Sequence, residues 1–284
     1  MRLRAILALF LTLTLLDGCS ALTTFNTFVP TDAGAVLAKA DIAYGAEPRQ
    51  RLDVYVPDGA KAGAPVILFI YGGGWDSGGK DDYAFAGKAL AAQGFVTIIA
   101  DYRLVPEVRF PIFVEDGALA LRWMRDHVAE FGGDPKRVYL LGHSAGAYNA
   151  MMLTLDAHFL GAVGLGADSI RATAGLAGPY DFLPLAVAES KAAFGQTRNL
   201  AATQPINFVR RSAPPIFVAT GADDTTVFPR NTTGLAASLR AAGAEVAEKT
   251  YPAMTHAGIM LALSRPFRGR APVLEDIVRF FREH

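Results

Sequence analysis

The sequence predicts an α/β fold, with a mostly parallel central sheet and helices on both faces. Short apolar runs, typical of buried strands, alternate with longer amphipathic stretches along most of the chain. Parallel strands are joined by crossovers that are usually helices, and they are buried on both faces, so this alternation favours parallel pairing. The chain has 284 residues, of which 51% are hydrophobic, and it is long enough to bury one large core. We expect one domain at residues 46–284.

The hydrophobic period predicts the order of the elements. Residues 52–56 alternate apolar and polar side chains and residues 65–71 are continuously apolar, which predicts two strands. Residues 83–94 have helical spacing and end at a glycine. The remaining predicted strands are 95–100, 138–141, 172–176, 215–219 and 246–251, and the remaining predicted helices are 114–131, 145–155 and 273–282.

The first residues predict an export signal that is not part of the fold. Arg2 and Arg4 form a short basic region, and residues 5–16 are an apolar run that is too short to span a bilayer. Cys19, the single cysteine of the chain, follows. A lone cysteine cannot form an intrachain disulfide, so a modification explains it better than redox chemistry does.

This order of residues resembles a bacterial lipoprotein signal. In such signals the leader, here residues 1–18, is removed and the cysteine, here Cys19, carries the lipid. Asp17 departs from the small residue usual at its position, so ordinary secretory cleavage and an uncleaved anchor remain alternatives. Residues 19–45 are small and polar, and we expect them to be a tether between a membrane and the domain.

The charge balance excludes some partners. Lysine and arginine number 27, as do aspartate and glutamate, and no basic run occurs. Nucleic acid and anionic surfaces are therefore not expected as partners. The expected substrate is uncharged overall or has its charge bound locally, and the sequence leaves the oligomeric state open.

Gly142-His143-Ser144-Ala145-Gly146 is a Gly-x-Ser-x-Gly motif between a predicted strand and a predicted helix. A nucleophilic serine needs this order of strand, tight turn and helix, because it presents the hydroxyl at the end of the sheet. The flanking glycines allow strand and helix to approach closely. The context predicts that Ser144 is a nucleophile.

Three consecutive glycines, Gly72 to Gly74, follow the predicted strand at 65–71. Their uncovered N–H groups can converge on a negative oxygen, and we expect Gly73, Gly74 and Ala145 to form an oxyanion hole. A plain glycine-rich turn with Trp75 in the core is the alternative. A phosphate loop is excluded, because Lys80 is too far from the glycines and no Gly-Lys-Ser/Thr follows.

Together these motifs resemble the α/β-hydrolase fold, and within it the chain is similar to bacterial carboxylesterases near the hormone-sensitive lipase and arylformamidase branches. The motifs that carry the resemblance are Tyr71 to Trp75, Asp101 to Glu107 with Phe110-Pro111, Asp134-Pro135, and the serine motif. The resemblance covers residues 52–284. Tyr71 stands where this family usually has histidine, and His143 where the lipase branch usually has aspartate.

A serine hydroxyl needs a base, and the base needs an acid that orients it. In this fold the acid and then the histidine follow the serine along the chain. His158 is too close to Ser144 and His284 is the last residue, so His256 is the expected base.

The acid is expected after the strand at 215–219. The family places it three residues before a valine, which selects Asp224 and leaves Asp223 as a turn residue. Asp181 is a second candidate, whose alternative role is to hydrogen-bond the loop after its strand.

The resemblance implies hydrolysis of small or short-chain carboxylic esters through an acyl-Ser144 intermediate, beneath a cap at residues 182–212. An arylformamidase and a catalytically inactive, lipid-anchored binding protein are the alternatives. No metal or other cofactor is expected, because histidines and carboxylates do not cluster at ligand spacing.

Overall fold

The computed structural model describes residues 21–59 and 62–284. The predicted export signal at residues 1–18 and the predicted lipidation site Cys19 lie outside these residues. Within the described ranges, no helix is both long enough and apolar enough to cross a membrane.

An eight-stranded sheet forms the centre of the described chain. In chain order its strands are β1 (Ala35–Ala43), β2 (Arg51–Pro57), β3 (Ala64–Ile70), β4 (Val96–Ala100), β5 (Gly133–His143), β6 (Ala172–Leu176), β7 (Ile216–Gly221) and β8 (Val246–Tyr251). They lie side by side in the order β1-β2-β4-β3-β5-β6-β7-β8. β2 is antiparallel to β1 and β4, and the other neighbouring strands are parallel. The predicted mostly parallel sheet is confirmed.

Helices follow most of the parallel strands. The α-helices of the described ranges are α1 (Ala21–Phe28), α2 (Ala84–Ala91), α3 (Ile112–His127), α4 (Ala145–Leu155), α5 (Ala157–Ala162), α6 (Ala188–Phe194), α7 (Arg230–Ala241), α8 (His256–Leu261) and α9 (Val273–Glu283). α4 is buried along its whole length, which its small and apolar residues permit. α3 ends at His127, before the predicted end, because a short 3₁₀ turn over Val128–Phe131 leads to Gly132 at φ 81°.

The apolar runs form the strands at the centre of the sheet. Every residue of β4 is buried, as are the last five residues of β3. The seven predicted strands are all present, with ends that differ by a few residues. The carboxyl ends of the parallel strands lie at one edge, called here the C-terminal edge of the sheet. The loops that follow β3, β5, β7 and β8 therefore meet there.

The predicted tether at residues 19–45 is wrong for the part of it that the structure describes. Residues 21–28 form α1 and residues 35–43 form β1, which pairs with β2. β1 is an edge strand with most of its residues exposed, so it lacks the apolar alternation by which strands are recognised. The edge position of β1 therefore explains why its sequence did not predict a strand.

Side-chain contacts fix this segment to the rest of the fold. Phe25 is buried, with its ring centroid 5.4 Å from Phe85 and 6.1 Å from Phe267. Arg268 donates two hydrogen bonds of 2.8 Å to the carboxylate of Asp32. The folded part of the chain therefore includes residues well before position 46.

Candidate active site

Ser144 occupies a tight turn between β5 and α4. Its backbone has φ 54° and ψ −123°, a conformation that costs a non-glycine residue about 1–3 kcal/mol. The Ser144 N–H donates to the carbonyl of Leu176 on the neighbouring strand at 2.9 Å. The fold thus holds the serine in a strained backbone conformation at the C-terminal edge of the sheet.

The two glycines of the serine motif are required by close backbone packing. A methyl group on Gly142 would lie 2.3 Å from the carbonyl oxygen of Gly146. A methyl group on Gly146 would lie 2.0 Å from the carbonyl oxygen of Ile70 on β3. Both distances are far shorter than van der Waals contact, so only glycine permits this approach of strand and helix.

His256 is the first residue of α8, in the segment that follows β8. The side chain of Thr255 caps this helix by accepting the N–H of Gly258 at 3.1 Å. His256 Nε2 lies 2.9 Å from Ser144 Oγ. The hydrogen bond between Thr255 and Gly258 fixes the backbone that carries the His256 imidazole.

Asp224 follows β7 and is the partner of the other imidazole nitrogen. Its Oδ2 lies 2.8 Å from His256 Nδ1, and its Oδ1 accepts the N–H groups of Thr226 and Val227, each at 2.9 Å. Burial by itself raises the pKa of the Asp224 carboxyl. The hydrogen bond and charge of His256, with the two N–H groups, outweigh burial and hold that pKa below its usual value.

This network determines the tautomer of His256. An ionised carboxylate only accepts hydrogen bonds, so Nδ1 carries the proton that faces Asp224. In the neutral imidazole Nε2 is then the unprotonated nitrogen, which can accept the hydroxyl proton of Ser144. The arrangement is that of a serine nucleophile, a general base and an acid that orients the base.

The alternative acids do not reach His256. Asp223 is exposed, and its N–H donates to the carbonyl of Met254 at 3.0 Å. Asp181 is exposed as well, and its N–H donates to Oδ1 of Asn231 at 3.0 Å. Asn231 therefore organises the loop of Asp181, a role that no sequence motif indicated.

The glycine loop lies against the serine. A methyl group on Gly72 would lie 2.9 Å from Cβ of Ser144. Gly73 and Gly74 have φ values of 125° and 61°, both in the region that favours glycine. Ala145 is the first residue of α4. All three predicted oxyanion donors are thus in segments that adjoin Ser144.

Tyr71 replaces the usual histidine of the motif and anchors the start of the glycine loop. Its ring is buried, with centroids 5.5 Å from Tyr83 and 4.8 Å from Tyr102. Its hydroxyl donates to Oδ1 of Asp101 at 2.8 Å and accepts a hydrogen bond from Arg49 at 3.1 Å. Arg49 was missed by sequence analysis, since nothing around a single arginine before β2 indicates this contact.

The predicted cap at residues 182–212 contains α6 and two short 3₁₀ turns. Phe182 and Phe194 pack on Trp75 with centroid distances of 6.2 and 4.8 Å. A methyl group on Gly74 would lie 3.1 Å from Cγ of Glu189 in this segment. The segment therefore adjoins the glycine loop, and Trp75 is a buried core residue at the contact.

Among the described residues, no group of three or more histidine, cysteine, aspartate or glutamate side chains is arranged to hold a metal ion. Ser144, His256 and Asp224 instead form one continuous chain of hydrogen bonds.

The sheet and the serine turn, with His256 and Asp224 beside it, define an α/β-hydrolase fold with a serine, histidine and aspartate triad. The chain belongs to the BD-FAE family, whose model matches residues 52–239. The resemblance to α/β-hydrolase esterases that the sequence motifs predicted is therefore confirmed.

Curated relatives of this chain have esterase names, as two of them illustrate. The chain is similar to the isoprenylcysteine alpha-carbonyl methylesterase ICME of Arabidopsis thaliana, with 28% identity over 84% of this chain and 61% of the relative. It is also similar to esterase LipC of Mycobacterium tuberculosis, with 32% identity over 66% of this chain and 51% of the relative. The chain thus spans about half to three-fifths of the length of these relatives.

Solved structures share the fold. An esterase B from Lactobacillus rhamnosis, inhibited by a tributyrin phosphonate, has a TM-score of 0.82 and 20% identity, covering 99% of this chain and 94% of that chain. A carbohydrate esterase from gut microbiota has a TM-score of 0.78 and 21% identity, covering 90% of this chain and 98% of that chain.

Proposed function

We propose that this protein is a serine carboxylic ester hydrolase that acts through an acyl-Ser144 intermediate. The observation that carries the proposal is the hydrogen-bond chain from Asp224 through His256 to Ser144, with distances of 2.8 and 2.9 Å. The esterase names of its relatives support the same reaction.

In the first half of the reaction, His256 Nε2 accepts the hydroxyl proton as Ser144 Oγ attacks the ester carbonyl. The carbonyl oxygen becomes an oxyanion, which the N–H groups of Gly73, Gly74 and Ala145 stabilise. Removal of one such donor typically costs about 3 kcal/mol of transition-state stabilisation. His256 then returns the proton to the leaving alcohol, and Ser144 retains the acyl group.

In the second half, water replaces the alcohol. His256 removes a proton from the water as it attacks the acyl carbonyl, and then returns a proton to Ser144 as the acid departs. Asp224 holds the imidazole in the correct tautomer and stabilises its charged form in both halves. The ionised state that this requires is consistent with the lowered pKa of its carboxyl.

The proposed substrates are small or short-chain esters. The cap at 182–212 has only short helices and lacks a long apolar stretch that could open on a lipid droplet. An arylformamidase would use the same triad, and an inactive binding protein would share the fold but lack turnover.

One panel separates these functions. Hydrolysis is measured on aryl esters of increasing acyl length, on a feruloyl ester and on N-formylkynurenine, with wild type, Ser144→Ala and His256→Ala. We expect the highest kcat/KM on a short acyl ester, and a loss of at least about 1,000-fold in both variants. Preference for N-formylkynurenine would favour the formamidase, and absence of turnover on every substrate would favour a binding protein.

The proposal extends to location: the chain is exported and lipidated at Cys19. The basic region, apolar run and cysteine of the first 19 residues support this placement. Asn26, only seven residues later in the sequence, accepts the N–H of Phe85 at 3.0 Å. Phe85 is in the first turn of α2, which begins near the C-terminal edge of the sheet. A lipid on Cys19 would therefore hold the start of α2 close to the membrane surface.

Lipidation is tested by growing the expressing bacterium with an alkyne fatty acid and separating the membrane and soluble fractions. We expect label and membrane localisation for wild type and for Ser144→Ala, and loss of both for Cys19→Ser. An unlabelled wild-type protein in the soluble fraction would contradict the anchor but leave the esterase proposal intact.

A further inference from the structure

His143 precedes the nucleophile and has no role in the reaction described above. It is the last residue of β5, and only 6% of it is exposed. Its Nε2 lies 3.2 Å from the backbone carbonyl oxygen of His256. The two imidazole rings are 5.0 Å apart between centroids. His143 therefore contacts the backbone of the base, while the two imidazole nitrogens of His256 hydrogen-bond to Asp224 and Ser144.

The contact determines the tautomer of His143. A carbonyl oxygen only accepts hydrogen bonds, so Nε2 must carry a proton. Burial first, and the neighbouring His256 second, lower the pKa of His143 to about 3, so its ring is neutral. Nδ1 is then the unprotonated nitrogen, and it is buried without a hydrogen-bond partner. A buried acceptor without a partner costs free energy. We infer that the hydrogen bond from Nε2 to the His256 carbonyl holds the ring in this position.

The unpaired nitrogen faces the glycine loop. A methyl group on Gly72 would lie 3.1 Å from His143 Nδ1 and 3.1 Å from the His143 carbonyl oxygen. The ring thus fills the space between Gly72, which directly precedes the expected oxyanion donor Gly73, and the carbonyl of His256. One side chain thereby contacts both the segment expected to bind the oxyanion and the segment that carries the base.

We propose that His143 is a positioning residue that holds His256 in place relative to the glycine loop, and that it does so through the hydrogen bond from its Nε2 to the His256 carbonyl. The proposal rests on the proposed esterase function. A base displaced by about 1 Å can lose about 100-fold in rate, because proton transfer and attack require closely aligned atoms.

Amide variants separate the hydrogen bond from the bulk of the ring. In His143→Gln the side-chain nitrogen is as many bonds from Cα as Nε2 is in histidine, so it can still donate to the His256 carbonyl. In His143→Asn the amide is one bond shorter and cannot reach. We expect kcat to fall about 10- to 100-fold in His143→Asn with KM within about twofold, and to stay within about threefold of wild type in His143→Gln.

His143→Phe adds a variant that keeps an aromatic ring but loses the donor. We expect it to fall with His143→Asn, and thermal melts identify variants that are not folded. Equal loss of kcat in the Gln and Asn variants, or wild-type kcat in folded His143→Phe, would overturn the proposal.

A spectroscopic readout does not depend on turnover. The proton on His256 Nδ1 that faces Asp224 is expected to give a downfield NMR resonance in wild type and His143→Gln, and to broaden or vanish in folded His143→Asn. If wild type hydrolyses no ester but this pattern holds, the proposed function fails while the positioning role stands. If the resonance is unchanged in all variants, the positioning role is wrong whatever the activity.

Discussion

Acid is expected to destabilise the folded protein through His143. The pKa of its imidazole falls from an ordinary 6.5 to about 3 on folding, first because of burial and second because of His256. Below pH 6.5 the unfolded chain binds a proton at this residue, whereas the folded chain does not. Proton binding therefore lowers the free energy of the unfolded state as the pH falls. The resulting loss of stability begins near pH 6.5 and levels off near pH 3.

The size of this loss of stability follows from the difference between the pKa values of His143 in the unfolded and folded states. Each pH unit between the two pKa values corresponds to about 1.4 kcal/mol. At pH 4.5, about two units below the unfolded value, His143 should lower the free energy of unfolding by about 2.7 kcal/mol relative to pH 8. Such a loss is a large fraction of the stability of a typical domain.

The assay compares wild type with His143→Gln, which has no titratable group at this position. Urea unfolding is followed by tryptophan fluorescence at pH 8, 6 and 4.5. Other groups, including Asp224 with its lowered pKa, contribute to both proteins and cancel in the difference between them. We expect the stability of His143→Gln relative to wild type to rise by about 2.7 kcal/mol from pH 8 to pH 4.5. A difference that does not change with pH would refute the claim that folding keeps His143 neutral.

Three further substitutions test other parts of the structure. Gly146→Ala places a methyl group 2.0 Å from a carbonyl oxygen of β3, so we expect the free energy of unfolding in urea to fall by at least about 2 kcal/mol. Gly161→Ala is the control, because its methyl group would meet no atom within 4 Å, and its free energy of unfolding should not change. Asp32→Ala removes two hydrogen bonds from Arg268 and should lower unfolding free energy by about 1–2 kcal/mol, whereas an unchanged urea midpoint would contradict docking of the segment. Asp224→Asn should lower kcat about 10⁴-fold with little change in stability, and turnover near wild type would mean that another acid orients His256.

Local sequence was sufficient for the central strands, since β3 is a continuous apolar run and β4 is apolar except for Thr97. It was also sufficient to identify the serine turn, because the Gly-x-Ser-x-Gly motif is a local pattern between a strand and a helix, although Gly146 is required by its contact with Ile70 of β3. Assignment of His256 and Asp224 needed more, because the chain order common to the fold selected them from several histidines and aspartates. The structure joins His256 to Ser144 and Asp224 to His256.

Long-range contacts were not predictable in this way. β1 is an exposed edge strand, so its sequence does not alternate between apolar and polar residues. α7 has few apolar residues and an internal glycine, so its sequence did not predict a helix. Arg49 and Asn231 act through side-chain hydrogen bonds to residues far along the chain. The contact between His143 and the carbonyl of His256 joins residues 113 positions apart, which no local pattern encodes.

The central claim is that Ser144 receives the acyl group of the substrate. The direct test is to quench the reaction with p-nitrophenyl butyrate within the first turnover and to map acylated peptides by mass spectrometry. We expect one butyryl group on the peptide that contains Ser144, a burst of p-nitrophenol of about one equivalent if deacylation is the slower step, and neither in Ser144→Ala. Ester hydrolysis that proceeds with the butyryl group on another residue, or that persists in Ser144→Ala at the wild-type rate, would contradict the account.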